Sequence, residues 1–79
     1  MKKITLQFYS LIPRPGIQKM PYETDAGTVR DLLHEIQGDP AVRLTTNISK
    51  ASVNDAFVEW DVPFADGDLV TFLPPFSGG

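Results

Sequence analysis

Apolar and polar residues alternate from Lys3 to Tyr9, with Ile4, Leu6 and Phe8 on one face and Thr5, Gln7 and Tyr9 on the other. A period of two is the signature of a half-buried strand. The segment "IPRPG" then breaks the ladder with two prolines and a glycine, which favours a turn. A return strand is expected from Ile17 to Glu23, with Pro21 confining it to a sheet edge or ending it early. The period changes at "TVRD". Thr28 suits an N-cap, Asp31 puts a carboxylate in the first turn, and Val29, Leu32, Leu33 and Ile36 follow at i, i+3, i+4 and i+7. Gly38 and Pro40 end this helix. "AVRLTTNISK" is weakly patterned and fits a short helical turn plus loop. Strand-like "ASVN" and "AFVEW" come next, separated by Asn54-Asp55, a pair suited to a tight turn. "PFADGD" forms a second turn, with Gly67 free to take positive φ. The run from Leu69 to Leu73 is apolar at nearly every position, as in a central strand buried on both faces.

Two strands, a helix, short strands and a final strand inserted centrally make an α+β fold: a mixed sheet gripping one main helix, the β-grasp or ubiquitin-like arrangement. Residues 1–79 form a single domain, with 74–79 expected to be a flexible C-terminal tail. At 79 residues only about 60% of the unfolded surface can be buried, so the core is one small cluster without room for an elaborate enclosed site. The chain has no cysteine, which removes disulfides, thiolate metal sites and a thiol nucleophile. Seven Lys and Arg against ten Asp and Glu give a net charge of -3, which repels a phosphate backbone and argues against nucleic acid as a partner. No apolar run approaches the ~20 residues of a membrane helix. "MKKITLQFYS" lacks the apolar core of a signal peptide, so a soluble, cytoplasmic location is expected.

Few residues suggest catalysis. The "DGD" of Asp66 to Asp68 could begin a calcium loop, but its twelfth position is Ser77 instead of a bidentate Glu, and a turn with solvated carboxylates is the better reading. His34 is the only histidine and has no partners for a metal site or a triad, which leaves it a surface helical residue and the metal sites at none. Trp60 and Tyr22 are candidate interface anchors, with partial burial an equal alternative. No nucleophile with a base and no Gly-rich phosphate loop is visible, so catalytic residues are none and the chain is not an enzyme alone.

The tail "LPPFSGG" is the distinctive feature. Pro74 and Pro75 hold the chain extended and project the last residues away from the sheet. Ser77, Gly78 and Gly79 have so little bulk that they could thread a narrow channel in another protein. At an average glycine frequency of about 7%, a terminal pair arises by chance in about one chain in two hundred. A carboxylate on Gly79 is a poor electrophile, but adenylation by ATP would convert it to a mixed anhydride open to a sulfur or nitrogen nucleophile.

The segment "VNDAFVEWDVPFADGDLVTFLPPFSGG", Val53 to Gly79, resembles the MoaD/ThiS family of ubiquitin-like sulfur carriers, in particular the branch of the molybdopterin synthase small subunit. The shared features are a "VN" strand start, a "DGD" turn, an apolar strand, "PP" and a terminal "GG". The resemblance implies that an E1-like adenylating enzyme uses ATP to activate Gly79, which becomes a thiocarboxylate and donates sulfur in molybdopterin (molybdenum or tungsten cofactor) biosynthesis. It implies no bound cofactor. Its implied partners are that enzyme, a sulfur donor protein or sulfide, and the synthase large subunit (MoaE-like), within which the chain would be a non-catalytic sulfur-donor subunit. Gly78, Ser77, Phe76, Pro75 and Pro74 would enter the partner's site, with Phe72 and Phe76 as contact candidates. "YSLIPRPGIQ" lacks the Arg-Glu pair common after the first strand of that branch, whereas carriers of the thiazole pathway do not typically have Pro-Pro before the tail. Conjugation to lysines as a ubiquitin-like modifier, a carrier for thiamine, cysteine or tRNA thiolation, and a binding module without tail chemistry are the alternatives.

Overall fold

A computed structural model describes residues 1–11, 14–44 and 47–75. Ile12, Pro13, Thr45, Thr46, Phe76, Ser77, Gly78 and Gly79 lie outside the described residues. The elements are β1 (Lys2–Ser10), β2 (Gly16–Thr24), α1 (Val29–Gln37), β3 (Lys50–Val53), β4 (Ala56–Val58) and β5 (Leu69–Leu73). They form a five-stranded sheet in the order β2-β1-β5-β3-β4, with β1 parallel to β5 and the other neighbours antiparallel. This mixed sheet with one helix is the β-grasp arrangement expected from the pattern. β5 takes the central place, and Val70, Thr71 and Phe72 are all buried.

Alternation in β1 sends Ile4, Leu6 and Phe8 into the core, where Val29, Leu32 and Ile36 of the helix meet them together with Val42, Ala51, Phe64, Val70 and Phe72. Val29, Leu32 and Ile36 are each fully buried, and each stabilises the fold by about 1.5–3 kcal/mol at most. Leu33, on the shoulder of the stripe, packs partly buried against the same cluster. Thr28 caps the helix as its sequence predicts, accepting the Asp31 amide on Oγ1 at 3.2 Å. Two further amides of the first turn have partners supplied by the chain beyond β4: Val29 N donates to the Val62 carbonyl at 3.0 Å and Arg30 N to the Trp60 carbonyl at 2.8 Å. Because Trp60 and Val62 serve the helix in this way, the strand read as "AFVEW" stops at Val58.

β2 runs through Pro21 to Thr24 and is an edge strand. Thr5, opposite Pro21, donates its amide to the Asp68 carbonyl at 3.0 Å, towards β5. Thr5 and Pro21 are therefore a pair without mutual hydrogen bonds, and the proline nitrogen faces the free edge, where the missing donor costs nothing. Tyr22 in the same strand is half-buried. Its hydroxyl donates to Asp39 Oδ2 at 3.1 Å, and Thr24 Oγ1 donates to Glu35 Oε1 at 3.0 Å, so two side chains of β2 hold the last turns of the helix and the residue just past its C-cap. Between the helix and β3, Val42 N closes a turn on the Asp39 carbonyl at 3.0 Å, and Val42, Leu44 and Ile48 pack on the core. Ser10 is buried at the end of β1, and its hydroxyl donates to the Arg43 carbonyl.

Candidate functional site: the exit of the last strand

The residues that carried the resemblance fall into two groups in space. Asn54 and the Asp66 to Asp68 turn meet at the start of β5, and the tail leaves at its end. Asn54 and Asp55 both take positive φ, 53° and 70°, and form the two-residue connection between β3 and β4. Asn and Asp tolerate this left-handed region better than other residues with a Cβ. The Asn54 backbone N donates to the Leu69 carbonyl at 2.8 Å, and its side-chain Oδ1 accepts the Leu69 amide at 2.9 Å. Asn54 Nδ2 donates to Asp68 Oδ1 at 3.0 Å, while Asp68 Oδ2 accepts the Ala65 amide at 2.8 Å. The Ala65 amide, and then the Asn54 side chain, hold the Asp68 carboxyl below its usual pKa, against a small opposing effect of burial.

The other aspartate works in the same way. Asp66 Oδ1 accepts the Lys3 amide at 2.7 Å, and Gly67, at φ 88°, donates its own amide to the Lys3 carbonyl at 2.7 Å. These carboxylates are therefore acceptors that bind the turn to β1 and to the connection between β3 and β4, a more specific role than that of solvated turn residues. Asn54 was legible in the sequence as a turn residue; its service to Leu69 and Asp68 was not, because the partners lie 14 and 15 residues away.

At the other end of β5, the Leu73 carbonyl accepts the Ser49 amide at 2.8 Å, and Lys50 is the register partner of Leu73. Pro74 is half-buried and Pro75 exposed, so the chain leaves the sheet within two residues of its last strand bond. The tail residues Phe76, Ser77, Gly78 and Gly79 lie outside the described residues. Phe72 requires a correction. Its side chain is fully buried and stacked on Trp60, with ring centroids 6.4 Å apart and planes 6° from parallel. It is a core residue and presents no surface for a partner contact, because position 72 shares the helix-facing side of the sheet with Val70 and Ala51.

The opposite side of the sheet carries the exposed apolar residues near the exit. Ile17, 52% exposed, lies opposite Tyr9, and Phe57, 67% exposed, lies opposite Ser52. Leu11 is exposed at the end of β1. Thr71 is buried in the middle strand, and its Oγ1 has no partner among the described residues.

Other candidates from the sequence lie apart from this exit. His34 is exposed on the helix. Trp60 and Tyr22 are each half-buried against the core. Burial, then hydrogen bonding to Glu35 and Asp39, raises the Tyr22 hydroxyl well above its usual pKa. Among the described residues there is no group of three or more His, Cys, Asp or Glu side chains that could hold a metal ion, and no helix long and apolar enough to cross a membrane.

A model of the ThiS family matches residues 10–79, which include β2, the helix, the Asn54 and Asp68 contacts and the tail. The chain belongs to the ThiS family. It is thereby one of the MoaD/ThiS-like ubiquitin-like sulfur carriers. Among solved structures it is similar to a protein-protein complex of subunits 1 and 2 of molybdopterin-converting factor from Helicobacter pylori 26695. The match has a TM-score of 0.64 and 20% identity and covers 98% of this chain and 99% of the other. At that identity the likeness is one of fold. None of the curated proteins gives a significant match.

Proposed function

We propose that this carrier delivers sulfur from its own C-terminus during molybdopterin biosynthesis, as the small, non-catalytic subunit of a two-subunit synthase. The observation that carries the reading is the exit of the family-matched chain from the central strand: the last strand bond is at Leu73, and six residues, Pro74 to Gly79, remain to reach into a partner. Extended, these span about 20 Å, enough to cross a partner's surface and enter a cleft. An E1-like enzyme would join the Gly79 carboxylate to the AMP moiety of ATP, releasing pyrophosphate. Sulfide would then displace AMP and leave the tail as a thiocarboxylate; a persulfide-bearing donor protein would displace it to form an acyl disulfide, whose S–S bond a thiol must reduce to release the same thiocarboxylate. The thiocarboxylate sulfur would bond to the acceptor, and hydrolysis of the resulting acyl–sulfur bond by water would leave the sulfur there and return the carboxylate. The large subunit would supply the acceptor site, a role supported by the fold likeness to a chain from a two-subunit complex. The chain binds no cofactor in this reading; ATP belongs to the activating enzyme.

The test is intact mass after incubation with ATP, sulfide and the host's activating enzyme. A gain equal to one oxygen-for-sulfur exchange, located at Gly79 by fragmentation, is expected, and the chain lacking Gly79 should show none. An unchanged mass with a competent enzyme would remove the carrier chemistry. The family match favours one second reading, delivery of sulfur to the thiazole of thiamine. Presenting the thiocarboxylate form separately to the molybdopterin precursor with the large subunit, and to a thiazole synthase, decides between them.

A further inference from the structure

The net charge of -3 hides an uneven distribution along the strands. β1 runs parallel to β5 and antiparallel to β2, and β3 runs antiparallel to β5. Ser10, Gly16, Lys50 and Leu73 therefore share one end of the sheet, the end where the chain leaves β5. Three exposed cationic residues stand there. Arg14 precedes Gly16 by two residues in the connection from β1 to β2, Arg43 is fastened by its carbonyl to the Ser10 hydroxyl, and Lys50 is the register partner of Leu73. Among the described residues at this end the acidic one is Glu59, just past β4. Asp39 and Glu35 are turned to Tyr22 and Thr24 of β2, and Asp61 follows Trp60 towards the start of the helix, where Arg30 accompanies it. The opposite end has the reverse balance: Glu23, Asp25, Asp55, Asp66 and Asp68 outnumber Lys2, Lys3 and the N-terminal amine.

The nine residues of β1, at about 3.3 Å per step, hold the two ends about 26 Å apart. The screening length at 0.1 M salt is about 10 Å, so the acidic end does not cancel the basic one for a surface in contact with it. A surface that meets the exit end therefore meets cations, although the chain as a whole is negative. Exposed Leu11 and Ile17 stand among those cations. A phosphate backbone presents a charge about every 1.7 Å, more than this end can match, and the overall negative charge opposes it further. Three cations with apolar neighbours suit an acidic protein surface instead.

We infer that the exit end of the sheet is an electrostatic docking surface for a protein partner with an acidic rim, engaged through Arg14, Arg43 and Lys50. Such a patch raises the rate of encounter and sets its orientation, so that Leu73 and the residues behind it arrive facing the partner. That this partner is the adenylating enzyme rests on the carrier reading; the basic surface itself does not.

The probe for the surface is a hexaglutamate peptide, titrated into the full chain and followed by amide chemical shifts at 50 mM and 1 M NaCl. Shifts should concentrate at Leu11, Arg14, Ile17, Arg43 and Lys50 and vanish at 1 M, where the screening length falls to about 3 Å. Arg14→Gln/Arg43→Gln/Lys50→Gln should lose them, and Arg14→Lys/Arg43→Lys/Lys50→Arg should keep them. All three positions are exposed, so these variants keep the fold, which far-UV circular dichroism checks. Shifts spread over the whole surface, or unchanged in the glutamine variant, would overturn the inference. Tighter binding of a ten-nucleotide oligothymidylate or of phosphatidylserine vesicles than of hexaglutamate would overturn it in favour of a phosphate-bearing partner. The second arm reads kcat/KM for pyrophosphate release by the host's activating enzyme. At 50 mM salt the glutamine variant should fall about tenfold through KM with kcat unchanged, and the gap should close at 1 M. Asp25→Asn/Asp55→Asn, at the far end, should change it less than about twofold. A loss in kcat instead, or loading indifferent to the three charges and to salt, would overturn the docking role. Absence of loading in every chain, with hexaglutamate still bound at the exit end, removes only the carrier reading.

Discussion

Replacing Asn54 by Ala should be far more damaging than an exposed turn position suggests. The substitution removes the acceptor of the Leu69 amide and the donor to Asp68, bonds of 2.9 and 3.0 Å. An ordinary hydrogen bond contributes about 1 kcal/mol, and the bond to the Asp68 carboxylate is discounted to about the same value because the site is open to solvent. Alanine must also adopt the φ of 53° that Asn54 holds, which costs about 1 kcal/mol. The sum is about 3 kcal/mol, a large share of the roughly 4–12 kcal/mol expected for a domain of this size. In urea, with a slope of about 1 kcal/mol/M, the unfolding midpoint should fall by about 3 M. A double-mutant cycle with Asp68→Ala isolates the shared bond and should return a coupling of about 1 kcal/mol. A midpoint shift under about 0.5 M, or a coupling indistinguishable from zero, would refute the claim that this side chain fixes the start of β5.

The same geometry sets three further outcomes. Tyr22 has a raised pKa in the fold, so its hydroxyl contributes stability that is fully present below the unfolded value of 10.0 and is lost as pH rises beyond it. Tyr22→Phe should remove that part of the alkaline loss in a chemical-denaturation series from pH 8 to 11. Asp68 has the opposite sign: its lowered pKa gives stability present above the unfolded value of 3.8 and lost as pH falls below it, and Asp68→Asn should flatten the acid limb of the same series. Phe72→Ala should cost about 3–5 kcal/mol in a urea unfolding series and Phe72→Leu markedly less; a loss under about 1 kcal/mol for Phe72→Ala would contradict the packing described for the core.

Much of the architecture was legible because its causes are local. The alternation of Ile4, Leu6 and Phe8 and the stripe of Val29, Leu32 and Ile36 need only the periods of strand and helix, and Thr28 with Asp31 needs only the spacing of one helical turn. The run from Leu69 to Leu73, apolar but for Thr71, reads as a central strand, and with β1 and β3 on either side of it Val70, Thr71 and Phe72 are buried.

What the sequence could not decide depends on residues far apart in the chain. Whether Pro21 ends β2 or rides its edge turns on whether Thr5 sends its backbone to β2 or to β5, which is a matter of register. Whether Phe72 faces a partner or the core depends on the side of the sheet that the helix covers, and Trp60 completes that burial only because its carbonyl is drawn to Arg30. The "VN" and "DGD" motifs could be recognised in the linear chain, but their work, holding Leu69 in place so that the strand ends at Leu73 and releases the tail there, exists only after β3, β5 and the turn before β5 have met. Side-chain periodicity is written residue by residue, whereas register, the covered face and long-range hydrogen bonds arise when distant segments pack and satisfy one another's polar groups.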